Sequence, residues 1–284
     1  MMQDGFGVPG VEDAGALSRR AAVLFFTHVW DAAIQSRFMK LSLELGARYD
    51  IWVGGLIRGG DGFEVPGRVR QVLARENDLL ALGPVTSCVC RPGPLDVRLH
   101  QLLPLYFFRQ RPGYGHYWTV EFDVRYTGNW RDFFAELEES PADLLGTNVQ
   151  ARHENPGWYH WPFLCTGRRA LAESSYIKAF LPVMRVSKRG FEVVDRAYRR
   201  GWHGHYEALW PTAIADAGMT VEDIGGLSSF APPARRNRHY TSTMSDEGIA
   251  PGTFCWRPMK AEAEVVEAPP MLWHPVKPEA LAKW

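Results

Sequence analysis

Along this chain, short uninterrupted apolar runs alternate with stretches whose apolar residues recur at helical spacing. Residues 21–26 (AAVLFF) form a continuous apolar run bounded by polar residues, the pattern of a strand buried on both faces. Asp31 is placed to cap a following helix, in which Ile34, Phe38, Leu41 and Leu45 share one face and Gly46 suits a left-handed stop. Residues 49–53 read as a second strand, so the chain opens with a βαβ unit. Residues 84–90 read as another short strand, and residues 95–108 as a helix broken by Pro104. Residues 116–130 (HYWTVEFDVRYTGNW) organise the rest: an aromatic, β-branched strand carries Glu121 and Asp123 to its far end and runs into a helix. That helix is capped by Asn129 and buries Trp130, Phe133, Phe134 and Leu137. Ser187 caps a later helix with Phe191, Val194 and Tyr198 on one side, ended by Gly201. The pattern predicts an α/β protein with a mainly parallel sheet flanked by helices.

Composition narrows this only slightly. The 284 residues are 46% apolar and 23% charged, which fits a globular protein and excludes a disordered or fibrous chain. Lys plus Arg equals Asp plus Glu at 32 each, so nothing in the bulk charge draws the chain to nucleic acid or an anionic membrane. Cys88, Cys90, Cys165 and Cys255 are too few for a disulfide scaffold, and the Cys88/Cys90 pair reads as buried thiols rather than half a zinc site. The apolar run at 21–26 is far short of the ~20 residues that span a bilayer, and no signal peptide is evident. A cytoplasmic protein is expected, with attachment to the inner face of the membrane through a partner left open. Residues 1–19 read as a flexible leader and residues 20–284 as a single domain whose closing segment is 226–284.

The candidate chemistry centres on Glu121 and Asp123, which as residues two apart on a strand can point together beyond the sheet edge. Asp123 is the leading metal ligand, and Arg125 with the helix amino terminus nearby favours phosphate. The competing reading is a solvated strand, or an ion pair between Asp123 and Arg125. Residues 54–67 are glycine-rich but match no phosphate-cradling pattern, and read as a linker loop. Trp158, Tyr159 and Trp161 form an aromatic cluster around a Pro-Gly turn, either a platform for a sugar ring or loop packing. Glu207 lies four residues before Pro211, a proline that kinks or begins a helix, which would leave Glu207 at an irregular, exposed junction. His203 and His205 do not share a helical face and read as local hydrogen-bonding groups. The polar stretch 226–250 reads as a lid whose Arg235, Arg236 and Arg238 fold over a diphosphate, or as a solvated basic run.

Three strings carry a resemblance. A hydrophobic strand ending in Glu-x-Asp looks like the metal and nucleotide-sugar motif of GT-A-fold glycosyltransferases, and EFDVRYTGNW resembles an uncharacterised glycosyltransferase-like family with a recurring carboxylate-x-Asp-Val-Arg-Tyr-x-Gly string. HYEALWPT is similar to a segment of branching N-acetylglucosaminyltransferases, and LWHPVK to a late metal-binding histidine element. The resemblance implies a GT-A-like (Rossmann-like) α/β fold, a mixed, mainly parallel sheet flanked by helices, that moves a sugar from a nucleotide-sugar donor to a hydroxyl of a glycan or other acceptor. It implies a nucleoside near Thr27 and Asp50, and a manganese or magnesium ion on Asp123 and His274 with Lys277 on phosphate. It makes Glu207 the base of an inverting transfer. Glu121 stands where the motif more often has Asp, so it would hold ribose or a backbone loop if the reaction is metal-independent. A nucleotidyltransferase, or a non-catalytic glycan-binding protein of the same fold, is the alternative.

Overall fold

The computed structural model describes residues 21–57, 64–83, 99–167, 170–242, 252–265 and 268–277. The expected leader, the strand expected at 84–90 with Cys88 and Cys90, most of the glycine loop and the end of the expected lid fall outside those residues.

The strands of the main sheet are β1 (Ala21–Phe26), β2 (Asp50–Ile57), β3 (Gln71–Arg75), β4 (His116–Glu121), β6 (Leu144–Ala151), β7 (Ile177–Ser187) and β8 (Val221–Asp223). They lie in the order β3-β2-β1-β4-β7-β6-β8. Only β7 runs against its neighbours; every other pairing is parallel, as the apolar pattern predicts. The helices are α1 (Ala32–Leu45), α2 (Glu76–Leu80), α3 (Leu103–Gln110), α4 (Trp130–Glu138), α5 (Lys188–Arg199) and α6 (Tyr206–Asp216). Two short ribbons complete the fold: β5 (Arg125–Tyr126) pairs with β10 (Leu272–Trp273), and β9 (Lys260–Ala261) with β11 (Val276–Lys277).

Both faces of the sheet are covered. Ala22, Leu24 and Tyr117 pack with α3, α5 and α6 on one side, while Val23, Phe25, Trp118 and Val120 pack with α1 and α4 on the other. That two-sided burial is why β1 and β4 lack polar alternation. Three side-chain caps set the helix starts as expected: Asp31 Oδ1 accepts from Ile34 N, Asn129 Oδ1 from Arg131 N, and Ser187 Oγ from Gly190 N.

Other expectations need correction. Gly46 closes α1 in right-handed geometry, φ −60°, not the left-handed stop. Pro104 sits in the first turn of α3, where a missing N–H costs nothing, so it starts that helix rather than breaking one. The second strand runs on through Gly54 and Gly55 to Ile57, so Asp50 opens β2 instead of ending it. A side chain at Gly54 would meet Leu24 Cδ1 at 2.8 Å, so the glycine marks close packing of sheet against α3 rather than a strand stop.

Arg185 of β7 holds the turn between α4 and β6. Its guanidinium is buried and donates to the carbonyls of Leu137, Ser140 and Ala142 at 2.8, 2.6 and 3.1 Å. Burial pulls its pKa down to about 10, outweighing the favourable charges around it. An Arg185→Met chain strands these carbonyls and is expected to lose about 3 kcal/mol of stability. A urea titration reads this as a lowered midpoint; a loss below ~1 kcal/mol would show that water replaces the guanidinium.

Candidate functional site

The ladder between β4 and β7 ends at Val120↔Val183, because Pro182 has no N–H to continue it. Beyond that point β4 gives way to a tight turn, with Val124 N donating to Glu121 O, and Asp123 lies in this turn rather than on the strand. Glu121 and Asp123 nevertheless come together, through the turn and not the pleat. They open into a cleft of about 370 Å³ that Glu207, His274 and Lys277 also line.

Asp123 is buried, and its two oxygens differ. Oδ2 accepts from Lys277 Nζ at 2.5 Å, whereas Oδ1 has no hydrogen-bond partner and lies 3.5 Å from His274 Nε2. His274 Nδ1 lies 2.8 Å from the Cys255 carbonyl, which can only accept, so Nδ1 carries the proton and Nε2 is bare. Burial also holds the His274 imidazole below its ordinary value and therefore neutral. A bare nitrogen and an unpaired carboxylate oxygen thus face each other, an arrangement that a cation between them would satisfy. Glu121 completes the set: one ligand atom each from Glu121, Asp123 and His274 lies within 4.8 Å of the others. Two carboxylates and one imidazole suit a divalent ion such as Mn²⁺ that takes mixed oxygen and nitrogen ligands.

The carboxyls are unequally poised. Burial, reinforced by Asp123 and Glu207, pushes Glu121 up to about 8, and the Tyr206 hydroxyl bonds to it. Burial disfavours the Asp123 carboxylate too, yet its neighbours hold it below its ordinary value. Because His274 is neutral, the Lys277 ammonium carries that effect.

The C-terminal segment is locked to this turn. Val276 N donates to Asp123 O at 2.8 Å, and Arg37 Nη1 of α1 donates to the carbonyls of Phe122 and Val276 at 2.8 and 2.9 Å. Glu262 neutralises Arg37 at 2.6 Å and also pairs with Arg125.

Glu207 lies in the first turn of α6, which runs unbroken through Pro211, so the expected exposed junction is absent. Its side chain is only 13% exposed. Oε1 accepts from Leu181 N at 3.2 Å, and Oε2 lies 3.6 Å from His205 Nδ1. One carboxylate oxygen is therefore anchored to β7, and the side chain lines the cleft with the other beside His205.

Of the remaining expected residues, all but Tyr159 are absent from the cleft lining. Thr27 is buried at the end of β1, its hydroxyl donating to Val29 O. Asp50 is at the opposite edge of the sheet, tied to Arg70 and Tyr114. Arg125 pairs with Glu262 rather than Asp123. Trp158 and Trp161 pack against Ala208 in a small core, and only Tyr159, 51% exposed, lines the cleft. Arg235 pairs with Glu222, Arg236 Nε donates to Ala231 O, and Arg238 pairs with Glu136. Their segment is tied down where Tyr240 Oη and the N–H groups of Gly225 and Gly226 donate to Asp223. None of these arginines lines the cleft; Arg257 does. The cleft also contains His160, Tyr206 and Trp256; the local signals for them are the place of His160 between Tyr159 and Trp161 and the adjacency of Tyr206 to Glu207.

A family described as a protein of unknown function (DUF3405) matches residues 93–155, a stretch that includes the Glu121–Asp123 turn. Comparison with curated proteins finds no match. Among solved structures, the apo form of mouse xyloside xylosyltransferase 1 is similar at 12% identity and TM-score 0.39, over 75% of this chain and 88% of that one. The galactosyltransferase LgtC, in complex with donor and acceptor sugar analogs, is similar at 11% identity and TM-score 0.41, over 72% and 73%. A putative glucose-1-phosphate thymidylyltransferase from Bacillus anthracis gives 11% identity and TM-score 0.37, over 72% and 87%. At such values these likenesses carry no argument about chemistry. No helix among the described residues is long and apolar enough to cross a membrane.

Asp123→Ala and His274→Ala are each expected to weaken Mn²⁺ binding by at least about tenfold in calorimetric titration. Unchanged affinity in both variants would remove the trio as a metal site. Glu262→Gln should speed amide hydrogen exchange in residues 272–277 by loosening Arg37; exchange at the wild-type rate would mean that the backbone bonds suffice.

Proposed function

We propose that this chain is a glycosyltransferase that moves a sugar from a nucleotide-diphosphate donor to an acceptor hydroxyl, with inversion. The observation that carries the reading is one cleft that combines a candidate metal trio, a lysine on the trio's aspartate, and a separately anchored carboxylate, Glu207. This is the division of labour that glycosyl transfer requires: one end stabilises a departing diphosphate while the other removes a proton. The sequence resemblance carried by EFDVRYTGNW, HYEALWPT and LWHPVK points the same way.

Asp123 Oδ1, His274 Nε2 and Glu121 would hold a manganese or magnesium ion. When bound, that ion supplies positive charge against the diphosphate oxygens. Lys277, held on Asp123 Oδ2, adds a fixed positive charge beside it, and Arg257 offers another at the cleft wall. Arg257 takes the part that the arginines of 235–238 were expected to play.

Glu207, with Oε1 held by Leu181 N, takes the acceptor proton on Oε2. The acceptor oxygen bonds to the anomeric carbon as the bond from that carbon to the diphosphate oxygen breaks, and the electron pair leaves with the diphosphate. Direct displacement by the acceptor inverts the anomeric centre. The turn after β1 favours this over nucleotidyl transfer, since Thr27 closes on Val29 and offers no phosphate loop.

A thermal-shift screen across uridine, guanosine, cytidine and thymidine diphosphate sugars with MnCl₂ should identify the donor by a raised melting temperature. Glu207→Gln is expected to keep that shift while its transfer rate falls about 10²–10⁴-fold. Full transfer by this variant removes Glu207 as the base, and no shift with any donor, with or without manganese, defeats the transferase reading.

A further inference from the structure

One part of the cleft has no task in the proposed transfer of the sugar. Tyr159, His160 and His205 form a contiguous row of rings there: the His160 and His205 rings stack with centroids 3.9 Å apart and planes at 11°, and the Tyr159 ring contacts His160 at 4.1 Å, tilted by 41°. His160 is only 8% exposed. The Nδ1 atoms of both histidines are buried with no hydrogen-bond partner, a costly state that calls for a ligand group. Burial pulls His160 down to about 4 and His205 well below its ordinary value, so both rings are neutral.

The chemistry of that ligand follows from the rings. The Nδ1 of a neutral imidazole donates in one tautomer and accepts in the other. A hydroxyl matches either, because it both donates and accepts; an anion would need both nitrogens protonated and a cation would need both bare. That tolerance favours a neutral molecule with hydroxyls as the partner. The half-exposed face of Tyr159 offers the flat apolar surface on which a sugar ring stacks. His205 Nδ1 lies 3.6 Å from Glu207 Oε2, so two hydroxyls on neighbouring carbons can be held together, one on each residue.

We propose that Tyr159, His160 and His205 form the acceptor subsite, and that the acceptor is a sugar ring presenting a hydroxyl beside the one that reacts. An isolated serine or lipid alcohol would reach Glu207 but leave the imidazole nitrogens unpaired. The inference rests on the transferase reading above. In the step itself the hydroxyl on Glu207 loses its proton to the carboxylate and bonds to the anomeric carbon, and the diphosphate leaves with the electron pair. The neighbouring hydroxyl stays intact and serves only to hold the ring.

The test uses the full chain, MnCl₂ and the donor found by thermal shift. Donor consumption is followed with a panel of 4-nitrophenyl pyranosides, with 2-(4-nitrophenyl)ethanol as a single-hydroxyl control, and with a serine-containing peptide. At least one pyranoside should accelerate consumption and neither control should. His205→Ala removes no capping bond from α6, since His205 makes none. It and His160→Ala should raise the pyranoside KM at least tenfold, with a smaller effect on kcat and on the donor KM. Tyr159→Ala, at a half-exposed position, should raise the same KM without endangering the fold. Acceleration by the peptide or the control but by no pyranoside overturns the subsite, as does an unchanged pyranoside KM in all three variants. A chain that binds the donor yet responds to no pyranoside defeats this inference alone, whereas a chain that binds no donor defeats the transferase reading with it.

Discussion

Arg37 is the constraint on which the candidate site depends. Its guanidinium lies buried between two segments remote in sequence and donates to a carbonyl of each, Phe122 O and Val276 O. Such a charge is tolerable in the interior only when paired and fully bonded. Glu262 supplies the pairing and is shared with Arg125, so α1, the turn after β4 and the C-terminal segment become one unit. Burial lowers the pKa of Arg37 nonetheless, a sign of how far the group is removed from water. Held this way, Val276 can donate to Asp123 O, and Lys277 follows directly onto the Asp123 carboxylate.

The same confinement forces the carboxyls into different states. Glu121, Asp123 and Glu207 line one cleft, and like charges at close quarters cannot all ionise freely. Asp123 takes the ionised state because Lys277 is beside it, and Glu121 takes the protonated one because burial and two negative neighbours oppose its charge. A cation among these groups would reverse the balance at Glu121, since positive charge favours the carboxylate. Charge on the site is thus coupled to its occupancy, which suits the metal and diphosphate proposed for it.

How much of this could be read in the residues alone depends on the range of the interaction. The strands β1 and β4 and the caps Asp31, Asn129 and Ser187 were legible because their causes are local: an apolar run, or an oxygen two or three positions from an orphan N–H. Asp50 was misplaced because Gly54 and Gly55 read as the end of a strand, whereas the packing of Leu24 and Leu103 needs glycine in the middle of one. The ion pairs of Arg125 with Glu262 and Arg235 with Glu222 carry no local signature, so the arginines could not be sorted into structural and ligand-facing groups. Glu121, Asp123, Glu207, His274 and Lys277 do line one cleft, yet the pleat invoked for the first two is a turn.

The distribution of these groups over the fold says which parts can change without loss of the chemistry. The sheet edge and α6 supply Glu121, Asp123 and Glu207; backbone N–H groups that exist whatever the neighbouring side chains are hold Glu207 Oε1 and the Asp123 carbonyl. Tyr159 and His160, by contrast, lie in the connection between β6 and β7, and Trp256 and Arg257 in the segment before β9. Loops on a rigid scaffold vary most easily, and ligand identity is set where they meet the cleft. Under the proposed transfer, a change of donor or acceptor would require rebuilding those two connections while β4, β7 and α6 stayed as they are. Arg37 sets the limit to that freedom, because the loop that brings Arg257 to the cleft leads into Glu262, and Glu262 cannot shift without uncovering the buried guanidinium.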